Sequence, residues 1–205
     1  MNAPICLSTA YLPPINWFAT MMSHRKVLLE HWEHYIKQTY RNRCVILSPQ
    51  GPLALTLPVE KANPRTPICQ LNVSEHGNWR HLHWQALTTA YESTPYFEHY
   101  APYLLPFYQQ PAGNLLQFNT KLTQTICQLL QIPCPLQPTL QYESLPTECD
   151  YRNRFSPKRT DLANGKCPQK YYQVFQQLYG FQPNLSIIDL LFNLGPESRI
   201  YLHAQ

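Results

Sequence analysis

With 205 residues, 44% of them hydrophobic and 14 Tyr and 8 Phe among them, the chain can bury a sizeable core as a single domain and is far from disordered composition. Its 16 Lys and Arg against 12 acidic residues leave a formal charge of +4, too mild for a nucleic-acid-binding surface and compatible with a small anionic ligand. The only aspartates are Asp150, Asp161 and Asp189, which speaks against a two-metal nuclease or phosphatase, and apolar runs such as Val27–Leu29 are far too short to cross a bilayer.

Ile5–Leu12 reads as a first strand. Pro13-Pro14 then holds one residue extended and supplies a favoured first-turn proline, which opens a helix over Ile15–Met22. Open α/β sheets hold ligands where strands hand over to helices, so Pro13 and Pro14 are expected at the carboxyl end of this strand, facing the main cleft. Lys26–Glu30 follows as a strand, and Arg43–Leu47 with Leu53–Val59 flank the turn at Ser48–Pro52 as a hairpin. Leu53, Leu55, Leu57 and Val59 alternate with other residues, which predicts one buried face.

Between Asn78 and Ser93, the residues Trp79, Leu82, His83, Ala86, Leu87, Ala90 and Tyr91 form one helical stripe. Asn114–Gln131 repeats the signal until Pro133 and Pro135, with a further strand expected over Thr139–Tyr142. Residues 146–169 carry Arg152, Arg154, Lys158, Arg159 and Lys166 without usable periodicity and read as a basic loop. Ser186 as N-cap, Asp189 three residues on, Gly195 as C-cap and Pro196 as a stop delimit a short last helix. The expected fold class is therefore α/β, with a mixed sheet, a β-hairpin and packed helices.

The densest polar cluster is the segment His31–Arg43. Arg41 and Arg43 can hold a phosphate or carboxylate in bidentate fashion, and Gln38 and Asn42 can hydrogen-bond a sugar or base edge. The plainer alternative is an exposed edge ion-paired with Glu30 and Glu33. His83 on the second helix can serve as a general base, because imidazole titrates near neutral pH, although a lone histidine on an apolar stripe is more often a hydrogen-bonded core residue. Asp189 can orient a histidine, but it already has a local role at a helix start.

Seven cysteines with no Cys-x-x-Cys pair fit reduced, metal-free thiols. His31/His34 and His81/His83 are close pairs without a second pair to complete a zinc site, so no metal is expected. Six scattered glycines form no phosphate loop or dinucleotide fingerprint, and no Gly-x-Ser-x-Gly elbow is present, so no cofactor is expected either. Residues Met1–Pro13 carry neither a charged leader nor a long apolar stretch, and the expected compartment is the cytoplasm.

Tyr11-Leu-Pro-Pro14 with Phe18, Glu33-His-Tyr-Ile-Lys-Gln-Thr-Tyr-Arg-Asn-Arg43, Leu55-Thr-Leu-Pro-Val59 and Trp79 with His83 resemble the WbqC-like proteins in order and spacing. Phe155-Ser-Pro-Lys158, Tyr171-Tyr-Gln-Val-Phe175 and the stretch from Asn184 to Glu197 carry the resemblance nearly to the end, in the manner of its Bacteroidetes branch. Members often have His-Gln-Pro before the Tyr-x-Pro element, where this chain has Ser8-Thr-Ala10, so a role carried by that His or Gln elsewhere has no counterpart here. The resemblance implies a protein of O-antigen and other surface-polysaccharide biosynthesis, acting as an acyl or aminoacyl (glycine) transferase on a nucleotide-linked amino sugar. On that reading Arg41 and Arg43 neutralise phosphate, His83 is the base, Tyr11 lines the pocket and Lys158 is a further ligand-binding residue, with closure of its loop over the ligand left open. The alternative is a non-catalytic protein that binds a sugar nucleotide or a protein partner through the same arginine-rich surface.

Overall fold

The computed structural model describes residues 4–61, 63, 65–158 and 169–205. Strand β1 (Ile5–Ser8) leads through helix α1 (Ile15–Met22) to β2 (Val27–Glu30), and the two strands pair in parallel from Ile5 with Val27 to Ser8 with Glu30. The first strand ends four residues earlier than expected. Leu12 sits at φ 42, a conformation outside the β region that no strand residue adopts, and the chain turns there.

The antiparallel hairpin of β3 (Arg43–Ser48) and β4 (Gly51–Thr56) is the predicted pair, but its turn is tighter and its second arm starts and ends earlier than the expected Leu53–Val59, with Ser48 Oγ donating to the Gly51 carbonyl at 2.8 Å across the turn. Of the alternating leucines only Leu55 and Leu57 are buried. Leu53 lies towards the hairpin tip, beyond the core, and is exposed.

Helix α2 (Trp79–Tyr91) buries Trp79, His83, Leu87, Ala90 and Tyr91. Leu82 is 59% exposed, contrary to its place in the predicted stripe, because the buried face centres on the Trp79, His83 and Leu87 row. Helices α3 (Phe97–Leu104) and α4 (Pro106–Gln109) have no counterpart in the predicted elements; Pro102 inside α3 and Pro106 at the start of α4 break the sequence signal but not the fold. Helix α5 (Leu115–Leu129) starts where Asn114 accepts a hydrogen bond from the Gln117 amide at 3.1 Å.

The third parallel strand, β5 (Leu136–Pro138), pairs with the other edge of β2 and lies three residues before the predicted Thr139–Tyr142. Pro138 tolerates this place because β5 is an edge strand, whereas Leu140 is 90% exposed and gains nothing by pairing. After the short α6 (Gln176–Tyr179), α7 (Ile187–Leu194) begins at Ser186, whose hydroxyl accepts from the Ile188 amide. α7 ends at Leu194 with Gly195 as its C-cap and Pro196 just beyond, as expected, but it is not the last helix: a 3-10 turn over Gly195–Glu197 carries the chain into α8 (Ser198–His203). Gly195 is required there: it adopts φ 53, and a Cβ would lie 2.5 Å from the Tyr96 ring.

The observed class is α/β, helices packed on a parallel sheet and an antiparallel hairpin, around one core that joins Tyr11, Phe18, Tyr91, Leu122 and Phe192. Among the described residues no helix is long and apolar enough to cross a membrane.

Candidate functional site

The carboxyl end of the parallel sheet gathers Ser8 from β1, Glu30 from β2 and Thr139 just beyond β5. Buried ion pairs cap this end. Arg41 grips Glu33 with two nitrogens, its Nε lying 2.8 Å from one carboxylate oxygen, and a terminal nitrogen donates to Ser8 Oγ at 2.7 Å. Arg152 pairs with Glu30 at 2.9 Å and with Asp150 at 2.6 Å, and its guanidinium lies 4.5 Å over the Tyr142 ring. The Arg152 pairing holds the Asp150 carboxyl below its usual range, chiefly through hydrogen bonding. The void between Ser8, Trp17, Arg41, Tyr151 and Phe155 is only about 10 Å³, room for no more than about one water.

Arg41 is 2% exposed and its guanidinium is satisfied by Glu33, Ser8, the Arg152 carbonyl and Asn153, so it does not present the free fork expected for a phosphate. Nor do Glu30 and Glu33 pair with Arg43; they are taken by Arg152 and Arg41. Arg43 is half-buried on β3, with Nε donating to Thr56 Oγ1 at 3.1 Å across the hairpin. Asn42 is buried and donates to the Leu57 carbonyl at 2.8 Å, which joins the hairpin base to the core. Gln38 is exposed at φ 59 in the loop before β3, and Lys158 is exposed at the last described position before residue 169. The expected arginine site is thus dispersed between a buried cluster and a hairpin face.

Tyr11 and His83 do meet, inside the core. Tyr11 Oη lies 3.0 Å from His83 Nδ1 and 2.9 Å from Tyr108 Oη, and the imidazole packs edge-on to Trp79. Burial holds the His83 pKa down to about 4, partly offset by a hydrogen bond to the Thr56 backbone. At 6% exposure this imidazole lacks the access an external substrate needs, and the core role weighed for it is the one its surroundings fit. Pro13 and Pro14 are corrected as well. They are buried rather than facing a cleft, because the Pro13 carbonyl accepts from the Ile187 amide and the Ser186 hydroxyl donates to the Leu12 carbonyl.

Asp189, taken from sequence as a helix-start residue, is 1% exposed and receives hydrogen bonds from Tyr91 at 3.1 Å, Tyr171 at 2.5 Å and Gln173 at 3.1 Å. Burial outweighs these donors and pushes its pKa up to about 6. It is a core polar junction joining α2, α7 and the segment before α6.

Open space next to the sheet's carboxyl end lies on the other side of β2. A groove of about 380 Å³ runs between α5 and the β2/β5 pair, floored by Leu29, Leu116 and Leu136 and edged by His31, Lys121 and Gln124. That volume suits a small-molecule site. His31 is held by its backbone, whose amide donates to Thr139 Oγ1 at 3.0 Å and whose carbonyl accepts from Cys69. Its side chain is half-buried, and desolvation lowers its pKa against a smaller opposing pull from Glu30. It is thus a neutral, reachable imidazole at neutral pH, the state a general base requires. The segment His31–Arg43 stood out in the sequence, but position, not spacing, distinguishes His31: it is the residue that follows the last residue of a central parallel strand. Lys121 carried no such signal, since a single lysine on an amphipathic helix reads as a solvated face.

Among the described residues no three His, Cys, Asp or Glu side chains converge as metal ligands. Cys6, Cys44, Cys69, Cys127, Cys134 and Cys149 are free thiols, and Cys167 lies outside the described residues.

The family model of the WbqC-like proteins matches residues 9–152 and 151–201. The chain is also similar to an uncharacterized protein, Rv1507c, of Mycobacterium tuberculosis, at 26% identity over 98% of both chains. No solved structure matches.

Proposed function

Because the chain belongs to the WbqC-like protein family, we propose that it serves surface-polysaccharide biosynthesis as an acyl or aminoacyl transferase acting on a nucleotide-linked amino sugar in the groove between α5 and the β2/β5 pair. The observation that carries this reading is His31, a neutral imidazole on a groove of about 380 Å³ that Lys121 also lines. In the reaction the sugar amine attacks the acyl carbonyl and a new C–N bond forms. His31 takes the amine proton, and as the bond to the leaving group breaks the proton passes to that group. The Lys121 ammonium offers charge to a phosphate or to the developing oxyanion, and Gln117, Gln124 and Gln137 offer amides to sugar hydroxyls. The ion pairs of Arg41 and Arg152 fix the strand ends from which His31 projects.

The alternative, a binding protein without turnover, is favoured by the large hydrophobic side chains of Trp32, Ile36, Leu140 and Tyr142, each left exposed. One experiment separates the two. Purified protein is mixed with nucleotide-linked amino sugars and activated acyl or aminoacyl donors, with amide products followed by mass spectrometry and binding by calorimetry. Transfer is expected, with His31→Ala losing product formation while still binding the sugar nucleotide. Sugar-nucleotide binding with no product across the panel supports the alternative, and neither binding nor product removes the groove as the site.

A further inference from the structure

A second cavity, of about 430 Å³, lies where α3, the carboxyl end of α5 and α8 meet. It is separate from the groove above, which engages the earlier turns of α5. Three features give it a defined chemistry. The first is a negative end. The carbonyls of Ile126, Cys127 and Gln128 accept hydrogen bonds from Leu130, Ile132 and Gln131, whereas those of Leu129 and Leu130, two lining residues, receive none among the described residues. The last carbonyls of a helix carry partial negative charge and attract a cation.

The second feature is a positive end. Arg199 lines the cavity and forms no ion pair among the described residues, and no carboxylate lines it. The third is Gln131, which lines the cavity at φ 53. Glycine is the favoured residue at such a left-handed position after a helix, so backbone conformation does not explain a glutamine there. Thr125 and Gln128 add hydrogen-bonding side chains, and Tyr103, 55% exposed, offers a ring face.

From these we infer a second ligand site, for a small zwitterion that carries an ammonium and a carboxylate on one body. The ammonium lies against the free carbonyls that end α5, the carboxylate takes the Arg199 guanidinium, and the remainder packs on Tyr103 within reach of Gln131. A purely anionic ligand would meet the helix carbonyls with the wrong sign, and a purely cationic one would meet Arg199.

The test is calorimetry of the full chain with the free neutral α-amino acids, each compared with its N-acetyl derivative and its amide, which delete one charge apiece. At least one amino acid is expected to bind, with both derivatives weaker by tenfold or more. Arg199→Gln should weaken the free amino acid tenfold or more without distinguishing it further from the derivative lacking the carboxylate. Gln131→Gly should retain or raise thermal stability while weakening the ligand, a result that a merely structural Gln131 would not produce. His31→Ala should leave this binding unchanged, so failure here and failure of the transferase reading are distinguishable. No binding across the amino acids, or equal binding by the singly charged derivatives, overturns the site.

Discussion

Tyr11 Oη sits 3.0 Å from His83 Nδ1, a hydrogen bond that ties the loop after β1 to α2 inside the core, where the imidazole is buried. Its consequence is a pH signature. Folding lowers the His83 pKa from 6.5 to about 4, so the unfolded chain holds more protons between those values. Stability from this group is complete above 6.5 and is lost as pH falls towards 4. Asp189 acts oppositely. Folding raises its pKa from 3.8 to about 6, so its contribution is complete below 3.8 and is lost as pH rises towards 6. Each effect is on the order of 3 kcal/mol, and across pH 4 to 6 the two slopes oppose. Urea midpoints measured from pH 4 to 7 should rise more steeply with pH in Asp189→Asn than in the parent, and less steeply in His83→Gln. Parallel profiles for all three proteins would refute the assignment.

The Arg41–Glu33 pair predicts an asymmetric response. Arg41→Leu strands a buried carboxylate and should lower stability by about 3–5 kcal/mol. Replacing both residues with leucine should recover much of that loss. A single variant whose denaturation midpoint matches the parent would show that the pair is not buried in solution.

Arg43→Lys removes only the hydrogen bond to Thr56 and should cost about 1 kcal/mol or less in stability. Sugar-nucleotide affinity should not change, because Arg43 does not line the α5 groove. A tenfold loss of affinity in this variant would return the ligand to the hairpin face.

If His31 is the base, it must be unprotonated to act. Desolvation holds its pKa below the ordinary 6.5, so the transfer rate should climb with pH at values under 6.5 and be level above it, within the range where the protein stays folded. A rate that falls over the same interval would assign His31 the opposite protonation state.

Cys127 and Cys134 sit thiol to thiol at the end of α5. The hydrogen bond from Cys127 lowers Cys134 to about 7 and leaves Cys127 well above the usual thiol range. Burial likewise raises Cys6, Cys44 and Cys69. Iodoacetamide at pH 7.5 followed by peptide mapping should find Cys134 modified before these four, and equal labelling of Cys6 or Cys44 would contradict this.

The elements whose local signals and caps agree were legible in the sequence: α1 after Pro14, α5 after Asn114 and α7 between Ser186 and Gly195 stand where they were expected, and the hairpin does so with a shifted second arm. β5 was displaced because pairing with β2 is decided by a neighbour more than 100 residues away, which no local pattern encodes. The site was less legible for a related reason. Arg41 looked like an exposed binding fork because Ser8 and Arg152, which close over its pairing with nearby Glu33, are distant in sequence, and they bury it. The same distance hid Asp189, whose tyrosine donors come from α2 and from the segment before α6. His31 was visible only as one member of a polar run until the sheet showed that it follows the last residue of the central strand.

The order of strands also bears on how the chain reaches this state. β2 meets β1 within thirty residues but waits for Leu136–Pro138 to cover its other edge, and the turn at Pro14 is closed by Ser186 from near the end of the sequence. Emerging from a ribosome, the first strands would hold an unsealed, apolar edge until Leu136–Pro138 has been made, more than 100 residues after β2. Such long-range closure predicts slow, late acquisition of the native state, and a nascent chain vulnerable to aggregation in the interval.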